Sequence, residues 1–306
     1  MLNKQLIAIE KTFGHSDLTQ INEPLLDAWG LELYLKRDDL LHPIISGNKW
    51  RKLKYILEHA LSLKSHKIIS MGGAYSNHLH ALAYVGKALG IQTEARIRGE
   101  QAKQLNPTLK DMQEWGMQLE FVSRSDYRQL REYKHYNELP GIQGGEYWLP
   151  EGGATDLALT GVAELVTEIN MDYDVLCVPC GTATTLAGIV NSQLAHNHQV
   201  LGFAALKGAG YLADEVKKLL KNSDCHQNEW LIELQYHFGG FAKVKPELIN
   251  FIQQFEQRHK IQLEPVYTGK MLYGLYDLIA QGYFKTGQRI IAIHTGGLQG
   301  NRGFIK

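Results

Sequence analysis

Lys67-Ile68-Ile69-Ser70-Met71-Gly72-Gly73-Ala74-Tyr75-Ser76-Asn77-His78 is the stretch that decides the fold. Lys67 to Ser70 reads as a short apolar strand and Gly72-Gly73 as its turn. Asn77 to Leu89 reads as a helix that stops at Gly90, a usual C-terminal glycine. Strand, glycine turn and helix make the unit from which parallel sheets are built. The unit recurs on both sides of this stretch. Upstream, Leu33 to Arg37 reads as a strand, a loop with Pro43 and Gly47 follows, and Asn48 to about Leu63 reads as a helix with Asn48 as its cap. Leu53, Ile56, Leu57, Ala60 and Leu61 recur at i, i+3, i+4, i+7 and i+8, which makes one apolar face.

Downstream, Glu94 to Ile97, Leu119 to Val122, Glu146 to Leu149, Val175 to Val178, Val200 to Leu206, Leu231 to Tyr236 and Ile290 to His294 read as strands. Helical patterns fill most gaps: Thr108 to Trp115, Asp126 to Tyr136, Leu157 to Ile169, Leu186 to Leu194, Leu212 to Leu220, Pro246 to His259 and Lys270 to Gln281. This alternation predicts an α/β fold with open, mostly parallel twisted sheets and flanking helices. About nine strands are legible, and their spacing suits two sheets better than one. The expected division is a small α/β domain over 48–145 and a large domain made of 1–47 and 146–306.

Composition narrows the function. The chain has 306 residues, 44% of them hydrophobic, with Lys plus Arg and Asp plus Glu at 32 each. Balanced charge gives no electrostatic case for nucleic acid or an anionic membrane surface. Three cysteines, Cys177, Cys180 and Cys225, argue against a disulfide framework. No signal peptide is legible, and no run reaches the roughly 18 apolar residues needed to span a bilayer. The cytoplasm is the expected compartment.

Four loops carry the residues that suit chemistry. In Ser46-Gly47-Asn48-Lys49-Trp50-Arg51-Lys52, Lys49 falls in the first turn of a helix. That electropositive end disfavours an ammonium by about 0.3–1 kcal/mol, and so favours the neutral amine that acts as a nucleophile. The plainer reading is a solvated basic turn. In Gly72 to His78, Ser76 and Asn77 can donate to a carboxylate or phenolate, or can simply cap the helix. In Cys180-Gly181-Thr182-Ala183-Thr184-Thr185, glycine and small hydroxyl residues at a strand-to-helix turn suit a phosphate monoester, or again a cap. GxxxxGK[ST] and GxGxxG are both absent. The last pair is Pro265-Val266-Tyr267-Thr268-Gly269-Lys270 and His294-Thr295-Gly296-Gly297. There Thr295 can bond a heterocyclic nitrogen or cap a strand end, and Tyr267 is otherwise a core tyrosine.

Taken in order, these loops resemble the D-cysteine desulfhydrase and 1-aminocyclopropane-1-carboxylate (ACC) deaminase family. Its members are pyridoxal-phosphate (PLP) enzymes of the tryptophan-synthase-β type, PLP fold type II. The likeness runs from Lys36-Arg37-Asp38-Asp39-Leu40 to His294-Thr295-Gly296-Gly297. It implies that Lys49 forms the Schiff base with pyridoxal 5′-phosphate and moves the substrate α-proton. It implies that Asn77 bonds the cofactor phenolate and Ser76 the substrate carboxylate. Gly181, Thr182, Ala183, Thr184 and Thr185 would hold the phosphate, with Lys52 nearby. Tyr267 would stand by the substrate, and Thr295 would meet the pyridine nitrogen. The resemblance also implies a homodimer acting on a small amino acid.

Two departures bear on the substrate. ACC deaminases carry Glu after this tyrosine, where this chain has Thr268. A neutral partner leaves the ring a weaker electron sink, which favours loss of a good β leaving group over cyclopropane opening. The family's second tyrosine precedes a Gly, and here Phe238 precedes Gly239, with Tyr236 as a substitute. The expected reaction is α,β-elimination from D-cysteine to pyruvate, sulfide and ammonia. Rivals in the same fold are ACC deamination, D-serine dehydration and racemisation.

From other classes, the rivals are a non-catalytic phosphate-ligand binder and a thiol oxidoreductase using Cys177-Val178-Pro179-Cys180. No metal site is expected. His78 with His80 and His196 with His198 are i, i+2 pairs, which point about 200° apart on a helix.

Overall fold

The computed structural model describes residues 2–101, 103–192, 198–220 and 230–304. Cys225, His196 and the expected helical positions 193–194 lie outside the described residues. The strands are β1 (Leu18–Ile21), β2 (Glu32–Lys36), β3 (Lys67–Gly72), β4 (Gln92–Arg98), β5 (Gln118–Val122), β6 (Glu146–Leu149), β7 (Val175–Cys180), β8 (Gln199–Ala204), β9 (Trp230–Glu233) and β10 (Arg289–Ile293). The chain forms two compact units. One holds Met1–Gly14, His42–Gly161 and Gln299–Lys306; the other holds His15–Leu41 and Val162–Leu298.

The first unit is built on a four-stranded sheet in the order β5-β4-β3-β6, with every pairing parallel. β3 lies between two neighbours, so its residues are buried from Ile68 to Gly72. This is why it reads as an apolar run rather than an alternating one. The helix Asn48–Ser62 buries the expected stripe of Leu53, Ile56, Leu57 and Ala60. These side chains share a core with Ile68, Leu79, Leu82, Ala95 and Ile97. The helix Asn77–Leu89 ends, as the sequence predicts, at Gly90, which sits at φ 68°.

The second unit is built on a six-stranded sheet in the order β1-β2-β10-β7-β8-β9. Among the described residues its pairings are parallel except β1 with β2. β7 is buried at all six positions. Val175 and Cys177 join Leu33, Leu35, Leu201, Phe203, Leu272, Leu275 and Ile290 in the core. The two mostly parallel sheets with flanking helices are the architecture that the sequence pattern predicts.

Three differences from the expected elements appear, two of them with local causes. The helix expected over Asp126 to Tyr136 runs only Arg124–Leu130. Beyond it, the Glu138 carboxylate accepts from the N–H groups of Lys134 and His135 at 2.7 and 2.8 Å, which competes with helical bonding. The strand expected to reach Tyr236 stops at Glu233. The Tyr236 hydroxyl instead donates to Asp277 Oδ2 at 2.7 Å. Finally, β1 and the helices Lys4–Glu10 and Pro24–Trp29 are present although no periodic signal marked them.

The helix Asn48–Ser62 has a neighbour that leaves no room for a side chain. A methyl group on Gly161 would overlap the backbone carbonyl oxygen of Arg51. That carbonyl belongs to the buried first half of the helix and cannot rotate away. Gly161→Ala is therefore expected to destabilise the protein by about 1–3 kcal/mol, as overpacking of a fixed backbone does. Urea unfolding of the purified variant measures it, and an unchanged midpoint would refute the close approach.

Candidate active site

In the first unit, Gly47 turns the chain into the helix Asn48–Ser62 at φ 65° and ψ −147°, a conformation that suits glycine. Gly47, not Asn48, therefore occupies the cap position, and no side chain bonds there. Asn48 is instead the first helical residue, buried, and its Oδ1 accepts from Lys49 Nζ at 2.5 Å. Lys49 thus stands in the first turn, as expected, with its amine turned toward its neighbour. The basic stretch is not a solvated turn, because Arg51 is 3% and Lys52 5% exposed. Lys52 Nζ donates to Gly152 O at 3.3 Å.

β3 delivers the second loop. A methyl group on Gly72 would lie 2.7 Å from Ser76 Oγ, so the strand end must be glycine for Ser76 to sit there. Ser76 caps the helix Asn77–Leu89 by accepting from Leu79 N at 3.2 Å. Its hydroxyl proton is not used by that bond and can donate to a ligand. Asn77 Oδ1 accepts from Gln299 Nε2 at 2.5 Å.

His78 was weighed from the sequence only as half of a metal pair, and the structure gives it another place. Ser70 Oγ donates to Leu149 O at 2.8 Å, so it must accept from His78 Nε2, 2.9 Å away. The proton is then on Nε2, and the buried Nδ1 has no hydrogen-bond partner among the described residues. Burial, aided by the charges of Lys52 and Lys49, pushes His78 down to about 3. His80 turns to Asp111 Oδ2 at 2.9 Å. The two histidines do not converge. Among the described residues, no cluster of three His, Cys, Asp or Glu side chains is set to hold a metal.

In the second unit, the third loop lies between β7 and the helix Thr184–Ser192. That helix starts two residues before the expected Leu186. Thr184 and Thr185 are therefore its first residues, both buried. Ala183 is held at φ 59°, a conformation costly for a side-chain-bearing residue and common at ligand clamps. Thr182 Oγ1 and Thr184 Oγ1 lie 3.0 Å apart. A methyl group on Gly181 would lie 3.1 Å from Tyr267 Cε1, so the tyrosine ring covers the loop. A helix N-terminus, three threonine hydroxyls and no acidic side chain over 180–185 fit a phosphate monoester.

Tyr267 and Thr268 are placed by a residue that the sequence reading missed. Glu264 is buried, and its carboxylate accepts from the N–H groups of Val266, Tyr267 and Thr268 at 2.7, 2.9 and 2.5 Å. The signal was an acidic residue just ahead of a helix start, which suits orphan N–H groups. Thr268 is the first residue of the helix Thr268–Ala280, and its Oγ1 lies 3.5 Å from Thr295 Oγ1. Both threonines are buried.

Thr295 lies two residues beyond the end of β10, next to His294, whose Nδ1 accepts from Gly296 N at 3.2 Å. His294 Nε2 is therefore protonated and donates to Gln262 O at 2.7 Å. Burial lowers the His294 pKa, which keeps the ring neutral and this pattern intact.

Neither candidate for a second tyrosine is simple. Tyr236 is tied to Asp277, and the Phe238 ring packs edge-on against Tyr273 at 4.9 Å between centroids. The aromatic residue beside Tyr267 is Phe241, 6.0 Å away between centroids. The redox reading of Cys177 and Cys180 fails on burial. Both thiols are enclosed in β7, and burial pushes the Cys177 thiol far up.

Comparison with known proteins places the chain in a family. The family profile described as "Pyridoxal-phosphate dependent enzyme" matches residues 16–296. A relative from Pyrococcus horikoshii, whose provisional name is 1-aminocyclopropane-1-carboxylate deaminase, is 31% identical over 287 residues. That match covers 89% of this chain and 86% of the relative. A mitochondrial "Bifunctional D-cysteine desulfhydrase/1-aminocyclopropane-1-carboxylate deaminase" of Arabidopsis thaliana is 29% identical, covering 89% of this chain and 73% of its own. A crystal structure of an "ACC deaminase homologue" superposes with a TM-score of 0.77 at 26% identity, covering 98% of this chain and 97% of its own.

The buried neutral His78 leaves a measurable trace. Its folded pKa lies below the unfolded value of about 6.5, so the unfolded chain binds the extra proton between about 6.5 and 3. Stability is thus expected to fall as pH drops through that window, by up to about 1.4 kcal/mol per pH unit from this group. Denaturant unfolding of the cofactor-free protein at pH 6.5 and 5 is expected to show this slope. In His78→Gln that share of the slope should vanish; an identical slope in the variant would disprove the assignment.

Proposed function

Because the chain belongs to the pyridoxal-phosphate-dependent enzyme family and takes pyridoxal 5′-phosphate as its cofactor, we propose that it eliminates the β substituent of a small amino acid, with D-cysteine the first substrate. At the coarser level it is an enzyme of the ACC deaminase and D-cysteine desulfhydrase group, with the type II fold of PLP enzymes. The observation that carries the finer reading is the pair of buried hydroxyls on Thr268 and Thr295, 3.5 Å apart. The nearby carboxylate of Glu264 is bound to the N–H groups of residues 266–268. A ring nitrogen facing Thr295 would meet a neutral partner and stay largely unprotonated. The weaker electron sink then suits a thiol, which departs readily, better than a cyclopropane carbon.

Bound PLP supplies the sink for the electron pair left when the substrate Cα loses its proton. In this reading Lys49 anchors the cofactor carbonyl and carries the α-proton on Nζ. Ser76 donates its hydroxyl proton to the substrate carboxylate, and Asn77 an N–H to the cofactor phenolate. The loop from Gly181 through Thr182, Ala183 and Thr184 to Thr185 holds the phosphate, with Lys52 adding positive charge. Tyr267, lying over Gly181, closes on the substrate. The balance is one D-cysteine and one water giving pyruvate, hydrogen sulfide and ammonia. The homodimer and the cytoplasmic location expected from the sequence are parts of the same proposal.

The test is spectroscopic and then chemical. Purified protein should show a band near about 410–420 nm, lost in Lys49→Ala, as expected of a lysine-bound cofactor. With D-cysteine, pyruvate and sulfide should appear in equal amounts, and Lys49→Ala should lower the rate at least about a thousandfold. Release of 2-oxobutyrate from ACC, without sulfide from D-cysteine, would overturn the leaving-group argument.

A further inference from the structure

Gln299 carries no sequence motif, yet its side-chain amide is used at both ends. Nε2 donates to Asn77 Oδ1 at 2.5 Å and to Tyr75 O at 3.3 Å. Oε1 accepts from Thr108 Oγ1 at 2.6 Å and from Arg302 Nη2 at 3.0 Å. These contacts decide which end of each amide is which. An arginine nitrogen can only donate, so the Gln299 atom facing it must be the oxygen. The Gln299 nitrogen therefore faces Asn77. The Asn77 atom it meets must then be the carbonyl oxygen, which turns Asn77 Nδ2 the other way.

Arg302 is itself fixed, because Nη2 donates to Asp111 Oδ2 at 2.6 Å and Nε to Gln299 O at 3.2 Å. Asp111 Oδ2 also meets His80 Nε2 at 2.9 Å. Thr108, the hydroxyl donor, is wholly buried. All of these residues belong to the first unit. The chain of donors and acceptors runs in one direction from Arg302 to Asn77, and it leaves one permitted orientation.

We propose that Gln299 is a positioning residue that occupies Asn77 Oδ1 and so makes Asn77 present N–H, not C=O, to the cofactor phenolate. The proposal rests on the reading of Asn77 given above. An asparagine alone at this place could turn over and offer either end. Offered as C=O, it would oppose an anionic oxygen. With Gln299 in place, turning over would bring two N–H groups together.

Two substitutions separate positioning from packing. Gln299→Glu keeps the size and still accepts from Thr108 and Arg302, more strongly than before. A purely structural role would tolerate it. It has no N–H for Asn77 Oδ1, however, so Asn77 turns its Nδ2 to the new carboxylate and its oxygen to the phenolate. Gln299→Leu removes the amide and leaves Asn77 free to choose. In the full-length protein, the dissociation constant for PLP is expected to rise at least about tenfold in Gln299→Glu, the scale of one lost charge-assisted hydrogen bond. The rise in Gln299→Leu should be smaller. The visible band of the bound cofactor should be displaced in Gln299→Glu, and the melting temperature without cofactor should stay within about 3 °C of wild type.

In an Asn77→Ala background the further change Gln299→Glu should have no effect on PLP affinity, because its only route is gone. Wild-type affinity and an unmoved band in Gln299→Glu would overturn the proposal, as would an equal loss in the Asn77→Ala background. If Gln299→Glu does not fold, Gln299→Leu with wild-type affinity and band overturns it instead. Wild-type protein that binds PLP while Asn77→Ala binds it equally well would instead sink the reading of Asn77, a separate failure.

Discussion

A parallel strand that gives way to a helix leaves the first N–H groups of that helix without intrahelical acceptors. Much of this protein is arranged around how each such turn answers that need. Ser76, Asn106 and Ser123 answer it locally, each accepting from the N–H group three residues on. Before the helix Thr268–Ala280 a buried carboxylate, Glu264, answers it for three N–H groups at once. The turn over 181–183 is different in kind. It offers small residues, threonine hydroxyls and a backbone held in the left-handed region at Ala183. Turns of the first kind hold themselves together. The turn of the second kind suits an external anion.

What the sequence disclosed follows the range of the interaction. Elements set by local periodicity were legible to the residue: Asn77–Leu89, Pro246–His259 and Glu146–Leu149 have the bounds their patterns predict. The strand β1 was not, because its four residues alternate little in burial and it is held by pairing with β2. The candidate site divides in the same way. Lys49, Ser76, Thr182 and Thr295 stand at turns that a short motif announces. Glu264 was missed because its message, a carboxylate near a helix start, is common. Gln299 was missed because its partner Asn77 lies 222 residues away in the chain. The Asn48 cap was misread because Gly47, with its positive φ, can begin the helix without a side-chain bond.

Charge placement explains why hydroxyls dominate the candidate site. In the second unit, three buried ionisable groups are committed to backbone. Glu264 accepts from three N–H groups, as above. Lys270 donates to Ala205, His237 and Gly240 carbonyls at 3.3, 2.9 and 2.8 Å. Burial pushes Lys270 down to about 8, so its charge is held by those carbonyls against a real desolvation cost. His294 joins the Gln262 carbonyl and the Gly296 N–H, and burial keeps it neutral.

A carboxylate bound to several backbone N–H groups cannot also serve as a proton-sharing partner for a heterocyclic nitrogen without giving up those bonds. Each abandoned N–H would then be a buried orphan costing about 1–3 kcal/mol. The bonds that hold the backbone of Tyr267 and Thr268 therefore keep the Glu264 carboxylate occupied. What remains beside Thr268 to face a ligand is the neutral hydroxyl pair that it forms with Thr295. In the proposed reading, a ring nitrogen that met this pair would be polarised only weakly. The reaction that this reading favours is one whose leaving group needs little help to depart.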